Sequence, residues 1–266
     1  MTGYIGRNQL ICLWLIVGVL GLCSMNIGKS IEIELEETTN AENEFTLEVI
    51  SVGREEHHQK RIYIYHTHTY EAYKMDDEHI YTPTETWRTA DARYNVVRIG
   101  AELAQVLRAA GFYVKHDTTA YEPPKLSAAY GRSMEGLTSA AAEGYDLYID
   151  LHRDSYSKGN GPNTVSNGKE DMGRFLFLIG QGTGTGFDER PDWQENQRVA
   201  KAISDALNRQ IENLSRGVSL KSGRYNQQAA TPCILIEAGN NENTLPEILA
   251  TIPYLTNAIC DYFDKR

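Results

Sequence analysis

Three segments of this sequence place histidine or carboxylate side chains directly after or within an apolar run. Residues 66–71 have the pattern His-x-His-x-x-Glu and follow the strand-like run 61–65. The second segment contains His152-Arg153, and the third contains Glu237. Imidazole nitrogens beside a carboxylate suit zinc better than they suit calcium or magnesium. These residue types therefore predict a zinc site.

Such a group of side chains fits metal-assisted hydrolysis. A catalytic zinc keeps about three protein ligands and a water, and a nearby carboxylate transfers the proton. We assign His68 and His152 as ligands and Glu237 as the general acid and base. The third ligand is open between Glu71, three residues after His68, and Asp91, at the start of the first predicted helix. Glu71 is modestly favoured because one loop then presents two ligands.

Other polar residues beside these segments are candidates for supporting roles. Arg153 can clamp a substrate carboxylate or polarise the scissile carbonyl, and we count it as a catalytic candidate. Asp150 or Asp154 can orient a ligand imidazole. His66 alternates with His68, so we expect it to support the ligands or contact the substrate. The remaining histidines are expected at the surface: His57, His58, His79 and His116.

The elements that position these residues alternate between strands and helices from residue 61 onward. This alternation predicts an α/β fold with a mostly parallel or mixed sheet sandwiched between helices. In open sheets of this type the carboxyl ends of parallel strands share one crevice. We therefore expect three parallel neighbouring strands to end at His68, His152 and Glu237.

Capping signals predict where the helices begin and end. A first helix over about 94–110 has Asp91 as its capping residue and Gly111 as its stop. Further helices are expected over 127–143 and 192–213, and a single long one over 245–263. The Gly- and Asn-rich stretch up to residue 171 is expected to be a loop.

An uncharged apolar run occupies residues 10–25. It is slightly shorter than the roughly 20 residues that span a bilayer, so residues 1–28 are predicted to be a membrane anchor or signal segment. We favour an uncleaved anchor, which makes a single-pass protein of the cell membrane with its catalytic domain outside the cytoplasm. Residues 29–60 are predicted to be an acidic spacer, and residues 61–266 the catalytic domain.

Composition narrows the partners. The net charge of −10 argues against nucleic acid, which is bound by clustered Lys and Arg. Two of the four cysteines lie in the apolar run. The other two, Cys233 and Cys260, are expected to be buried thiols rather than a disulfide.

Four motifs in this order resemble the stage II sporulation protein P family of Firmicutes: residues 65–73, 93–100, 149–155 and 236–240. The resemblance covers about residues 61–262. It implies a fold similar to zinc amidases and zinc carboxypeptidases, and a membrane-anchored, zinc-dependent peptidoglycan hydrolase. The implied activity is that of an N-acetylmuramoyl-L-alanine amidase, with endopeptidase activity on cross-links also attributed to the family. Its members act in engulfment of the forespore with a partner lytic transglycosylase.

The resemblance also bears on single residues. His68 and His152 match the family's metal histidines, and Glu237 matches its catalytic glutamate. The carboxypeptidase pattern supports Glu71, whereas the amidase pattern supports Asp91. The spacer is shorter than the amino-terminal region of typical members. Two alternatives stand beside the amidase: a zinc carboxypeptidase or endopeptidase on wall peptides, and a non-enzymatic module that binds the wall or activates a partner.

Overall fold

The structure, a computed structural model, describes residues 60–156, 159, 161–184, 186 and 188–265. The predicted membrane segment and all but the last residue of the predicted acidic spacer lie outside these residues. The described residues belong to one unit, Glu55–Arg266. No helix among them is long and apolar enough to cross a membrane.

Strands and helices alternate along the domain. In chain order they are β1 (Arg61–Tyr65), α1 (Val96–Ala109), β2 (Tyr113–His116), α2 (Ala129–Glu143), β3 (Leu147–Asp154), β4 (Thr164–Ser166), β5 (Asp171–Gly173), β6 (Phe175–Gly180), α3 (Trp193–Gln210), β7 (Ser215–Lys221), β8 (Cys233–Asn240), α4 (Leu245–Leu249) and α5 (Ile252–Asp264). A short 3₁₀ turn, Leu126–Ala128, leads into α2.

Six of the strands form one sheet in the order β2-β1-β3-β8-β6-β7. The first four are mutually parallel, β6 runs antiparallel to β8, and β7 is parallel to β6. The predicted mixed α/β sheet between helices is thus confirmed. Strands β1, β3 and β8 are parallel neighbours, as the sequence predicted.

The two faces of the sheet bury different side chains. Because successive side chains of a strand point to opposite faces, Ile149 and Leu151 lie in the large core formed with α1, α3 and α5. Asp150 and His152 therefore lie on the other face, which is covered by α2. A smaller, Tyr-rich cluster holds α2 there: Tyr63, Tyr65, Leu137, Ala140, Tyr145 and Tyr148. The polar groups of β3 are thus on the α2 face.

The strand ends differ from the expectation in one respect. His152 and Glu237 lie within β3 and β8 rather than beyond their ends, and the two residues are paired in register. A register shift follows directly, between His152 and Asp154. The prediction that the strands end at these residues is wrong. His152 and Glu237 are nevertheless neighbours, as that prediction required.

Two helices and one loop also differ from the predictions. Asp91 does not cap α1; Asn95 does, with its Oδ1 accepting from the Val97 amide at 3.0 Å. The side-chain Nδ2 of Asn95 in turn donates to the Thr89 carbonyl at 3.0 Å, which fixes the cap. The predicted last helix is two helices, because Pro253 lacks an amide donor and favours a helix's first turn. The expected loop before residue 171 contains strand β4, paired with β5.

Candidate active site

His152 is buried between two carboxylates. Its Nε2 lies 2.9 Å from Asp150 Oδ1, and its Nδ1 lies 3.3 Å from Glu71 Oε2. Burial alone would lower the pKa of His152, but the charges of Asp150 and Glu71 outweigh it and raise that pKa well above its usual value. The site therefore favours positive charge at this position.

The Asp150 carboxylate is itself held in place. It accepts from the Thr67 amide at 2.8 Å and from the Thr67 hydroxyl at 2.7 Å. This pair ties β3 to the loop that contains His68. Of the two aspartates proposed to orient an imidazole, Asp150 lies against His152, whereas Asp154 forms an ion pair with Arg216.

Glu71 reaches the site through a turn after β1. The Glu71 amide donates to the His68 carbonyl at 3.2 Å, and Glu71 Oε2 accepts from the Arg153 amide at 3.1 Å. Burial opposes ionisation of Glu71, but the positive charge of His152 outweighs burial and lowers the pKa of Glu71 to about 2. Glu71 is thus an ionised, buried carboxylate beside His152.

His68 lies across from His152. The two imidazole rings are 5.3 Å apart between centroids and nearly perpendicular, and Tyr130 lies 5.4 Å from the His68 ring. The Nδ1 of His68 is 3.5 Å from Glu122 Oε1. Sequence reasoning did not single out Glu122, which precedes two prolines in a polar loop and carries no motif.

Glu122 is only 5% exposed and forms an ion pair with Arg88. Burial opposes ionisation of Glu122, but His68 and Arg88 outweigh it and lower its pKa. Arg88 was also missed. Neither residue has a sequence signal, because their proximity to His68 arises from the folding of two separate loops.

Glu237 faces the same site from β8. It is 8% exposed, and its Oε2 has no hydrogen-bond partner among the described residues. Burial is the main cause that raises the pKa of Glu237 to about 8; the charge of Glu71 adds to the rise and that of His152 opposes it. A buried carboxyl group that titrates near neutral pH is suited to proton transfer.

His66, which is buried, contacts His116, which is half-buried. Their Nε2 atoms lie 2.8 Å apart, and His66 Nδ1 lies 2.8 Å from the Leu151 carbonyl oxygen. Complete burial of His66 excludes the expected contact with a substrate. The expectation that His116 is a surface residue is wrong, because β2 lies beside β1 and brings this side chain against His66. His79, also expected at the surface, lies with its Nδ1 2.8 Å from Asp76 Oδ1.

Two predicted site residues occupy other surroundings. The Arg153 guanidinium donates to backbone carbonyls of Ala72 at 3.1 Å and Trp87 at 3.2 Å. It thereby joins β3 to the loop that follows β1. Asp91 is bound by Arg93, whose guanidinium approaches its carboxylate to 2.6 Å. This hydrogen bonding lowers the pKa of Asp91.

The side chains of His68, Glu71 and His152 are candidate ligands for a metal ion. Among the described residues, no three His, Cys, Asp or Glu side chains form a ready-made metal site. Two ligand atoms about 2.0 Å from a tetrahedral zinc are about 3.3 Å apart, and the gap between His152 Nδ1 and Glu71 Oε2 is 3.3 Å. A carboxylate beside the other ring nitrogen is also typical of zinc-bound histidine. His68 supplies a second imidazole, whose ring centroid lies 5.3 Å from that of His152. The chemistry of His68, Glu71 and His152 therefore fits zinc.

A cavity of about 590 Å³ opens beside Glu71. Exposed aromatic side chains and hydrogen-bonding groups line it: Trp87, Arg88, Arg153, Tyr156, Asn241 and Glu242. Such a mixture of aromatic and polar groups is typical of a ligand site. The cavity provides room for a substrate next to the carboxylates.

The sequence matches one known protein family over most of its length. The profile of the family described as stage II sporulation protein P (SpoIIP) matches residues 25–260. Stage II sporulation protein P of Bacillus subtilis (strain 168) is 25% identical over 222 residues, which cover 78% of this chain and 51% of that protein. The chain thus spans about half the length of this curated relative.

Two solved structures have a similar arrangement of strands and helices. The catalytic domain of the CD27L endolysin targeting Clostridia difficile is 16% identical, with a TM-score of 0.46 over 78% of this chain and 98% of that one. The N-acetylmuramoyl-L-alanine amidase AmiC2 of Nostoc punctiforme is 15% identical, with a TM-score of 0.45 over 77% and 96%. On the extent of the profile match, the chain belongs to the stage II sporulation protein P family.

Proposed function

We propose that this protein is a zinc-dependent peptidoglycan hydrolase that cleaves the amide bond between N-acetylmuramic acid and L-alanine. The observation that carries the proposal is the convergence of His68, His152 and Glu71 opposite the buried carboxyl group of Glu237. Membership of the sporulation family supports the wall as the substrate. The site holds two imidazoles, an ionised carboxylate and a separate proton carrier, a set that suits metal-assisted hydrolysis of an amide.

His68, His152 and Glu71 would hold the zinc, which when bound supplies a Lewis acid that polarises the carbonyl and acidifies water. Glu237 accepts a proton from the attacking water and passes it to the leaving amine nitrogen. Its pKa of about 8 allows both protonation forms near neutral pH. Asp150 holds the Nε2 side of His152, which keeps Nδ1 directed at Glu71.

We also propose that the protein acts outside the cytoplasm during sporulation. Residues 1–28 would anchor it in the cell membrane, and a lytic transglycosylase would open the glycan strands that it strips of peptide. The apolar run at residues 10–25 supports the anchor, and family membership supports the setting. Carbonate washing of membranes tests the anchor: the chain is expected to stay in the pellet, whereas release by the wash contradicts it.

The activity is tested by digestion of purified sacculi with the full chain. The expected products are stem peptides with a free L-alanine amino group, identified by mass spectrometry, and the protein is expected to contain about one zinc per chain. Cleavage within the cross-links or at the peptide ends instead identifies the endopeptidase or carboxypeptidase alternative. A zinc-loaded wild-type chain that releases nothing from sacculi would refute the enzymatic proposal.

A further inference from the structure

Glu122 stands beside the candidate site without a place in the chemistry described above. It comes from the loop after β2, whereas His68 comes from the loop after β1 and Arg88 from the loop before α1. Its carboxylate lies between the other two side chains, 3.5 Å from His68 Nδ1 and in an ion pair with Arg88 Nη2. Because the loop after β1 is also the loop before α1, two separate loops meet at this one carboxylate.

The three atoms depend on one another. His68 Nδ1, Glu122 Oε1 and Arg88 Nη2 are all buried and have no hydrogen-bond partner among the described residues, so the ion-pair contacts among the three are what each of them has. Leaving a buried polar atom unpaired is costly. The Glu122 carboxylate is therefore the expected partner of both His68 Nδ1 and the Arg88 guanidinium. Arg88 supplies the positive charge that keeps Glu122 available as an acceptor.

The arrangement at His68 repeats the one at His152. In each case one nitrogen of the imidazole lies near a buried carboxylate: Asp150 for His152 and Glu122 for His68. A neutral imidazole has one donor nitrogen and one acceptor nitrogen. If Nδ1 of His68 donates to Glu122, its Nε2 carries the lone pair that a metal needs. A carboxylate that fixes the tautomer and ring orientation of a metal-bound histidine is a recurring device.

We propose that Glu122, held by Arg88, is a positioning residue that sets the tautomer and orientation of His68 for zinc binding. The inference rests on the proposed zinc function and adds a residue to it. Glu122 does not touch the substrate, and it acts through His68. A merely structural ion pair with Arg88 would stabilise the loops but would leave the affinity for zinc unchanged.

The test is the zinc affinity of full-length Glu122→Gln, measured by competition with a chromogenic chelator. The dissociation constant is expected to rise about 10- to 100-fold, as for other residues that orient metal ligands, while the saturated protein still holds one zinc. Asp117→Asn is the matched control: it also follows β2 and is bonded to Tyr63 and Tyr121, away from His68. This control is expected to lower the melting temperature without changing zinc affinity.

A second variant covers the case in which Glu122→Gln does not fold. Glu122→Asp keeps the negative charge for Arg88 but withdraws the carboxylate from His68, so the same rise in the dissociation constant is expected. Wild-type zinc affinity in either folded variant overturns the inference, and so does a complete loss of the zinc site, which would make Glu122 a ligand. If wild type binds no zinc, both proposals fail; if it binds zinc and cleaves sacculi while Glu122→Gln keeps full affinity, only this inference fails.

Discussion

Glu237 is the side chain whose role differs most from that of its neighbours. Glu71 and Asp150 are ionised and paired with His152, whereas burial raises the pKa of Glu237 to about 8. Two environments on one face of the sheet thus separate carboxylates that hold charge from one that exchanges a proton. This separation gives the assignment of acid and base a physical basis.

Glu237→Gln keeps the size of the side chain and removes its ability to accept a proton. We expect the rate of stem-peptide release to fall at least about 10²-fold, because proton transfer contributes about that much, while zinc binding persists. Release assays with sacculi and a zinc titration measure the two quantities. Glu135→Gln, on the exposed side of α2, serves as the control and is expected to act like wild type. Full stem-peptide release by Glu237→Gln would show that Glu237 is not the proton carrier.

At the scale of elements, α1 fits closely against the His66–His116 pair. A Cβ atom on Gly100 would lie 2.6 Å from Nε2 of His116 and 2.6 Å from Nε2 of His66. Real Cβ atoms do not approach other heavy atoms so closely. The absence of a side chain at Gly100 therefore lets α1 lie against the end of β1 that leads to His68.

Gly100→Ala is expected to lower the free energy of unfolding by about 1–3 kcal/mol, because overpacking outweighs the better helix propensity of alanine. Gly131→Ala in α2 is the matched control, since its Cβ would meet nothing within 4 Å. That substitution is expected to stabilise the protein by about 0.5–1 kcal/mol. Urea unfolding monitored by circular dichroism measures both changes, and equal effects of the two substitutions would contradict the packing account.

Asp117 fastens the loop after β2 to β1. Its carboxylate accepts from the hydroxyls of Tyr63 and Tyr121, each at 2.6 Å, and from the Thr119 amide at 2.9 Å. Burial opposes ionisation, but these hydrogen bonds outweigh it and lower the pKa of Asp117. A pKa that is lower in the folded state adds stability above the unfolded pKa of about 4, and that stability is lost as pH falls through the folded pKa.

Asp117→Asn is therefore expected to cost about 1.5–3 kcal/mol at pH 7, the range for hydrogen bonds to charged groups. The difference from wild type is expected to shrink as the pH falls from about 4, where the unfolded carboxylate becomes protonated, through the lower pKa of the folded protein. Urea unfolding of both proteins at pH 7, 4.5 and 3 checks this dependence. A difference that stays constant across these pH values would show that ionisation of Asp117 does not contribute.

At the scale of the whole molecule, the sequence predicted what depends on local patterns. Apolar runs located β1, β3 and β8. Cys233 and Cys260 are buried and form no disulfide, as expected. The predicted anchor and the assignment of zinc ligands are not tested by the fold and stay predictions.

Contacts between distant loops were not predictable in the same way. Glu122 and Arg88 meet His68 only because the loops after β2 and before α1 fold over the same end of the sheet. His116 reaches His66 because β1 and β2 are parallel neighbours with Ile64 and His116 in register. No residue spacing encodes such pairings, since each depends on strand order. The missed residues are accordingly those that act between elements.

The dispersed origin of the site makes zinc a global stabiliser. Two of the proposed ligands, His68 and Glu71, lie in the loop after β1, and His152 lies in β3. A chain whose strands are separated therefore has no site for the ion. Zinc at about 100 times its dissociation constant should add about 2.7 kcal/mol, which corresponds to a rise in melting temperature of several degrees at about 2–4 °C per kcal/mol. Differential scanning calorimetry of the chelator-treated chain, with and without added zinc, measures the rise. His68→Ala is expected to abolish it, whereas an equal rise in that variant would place the zinc elsewhere.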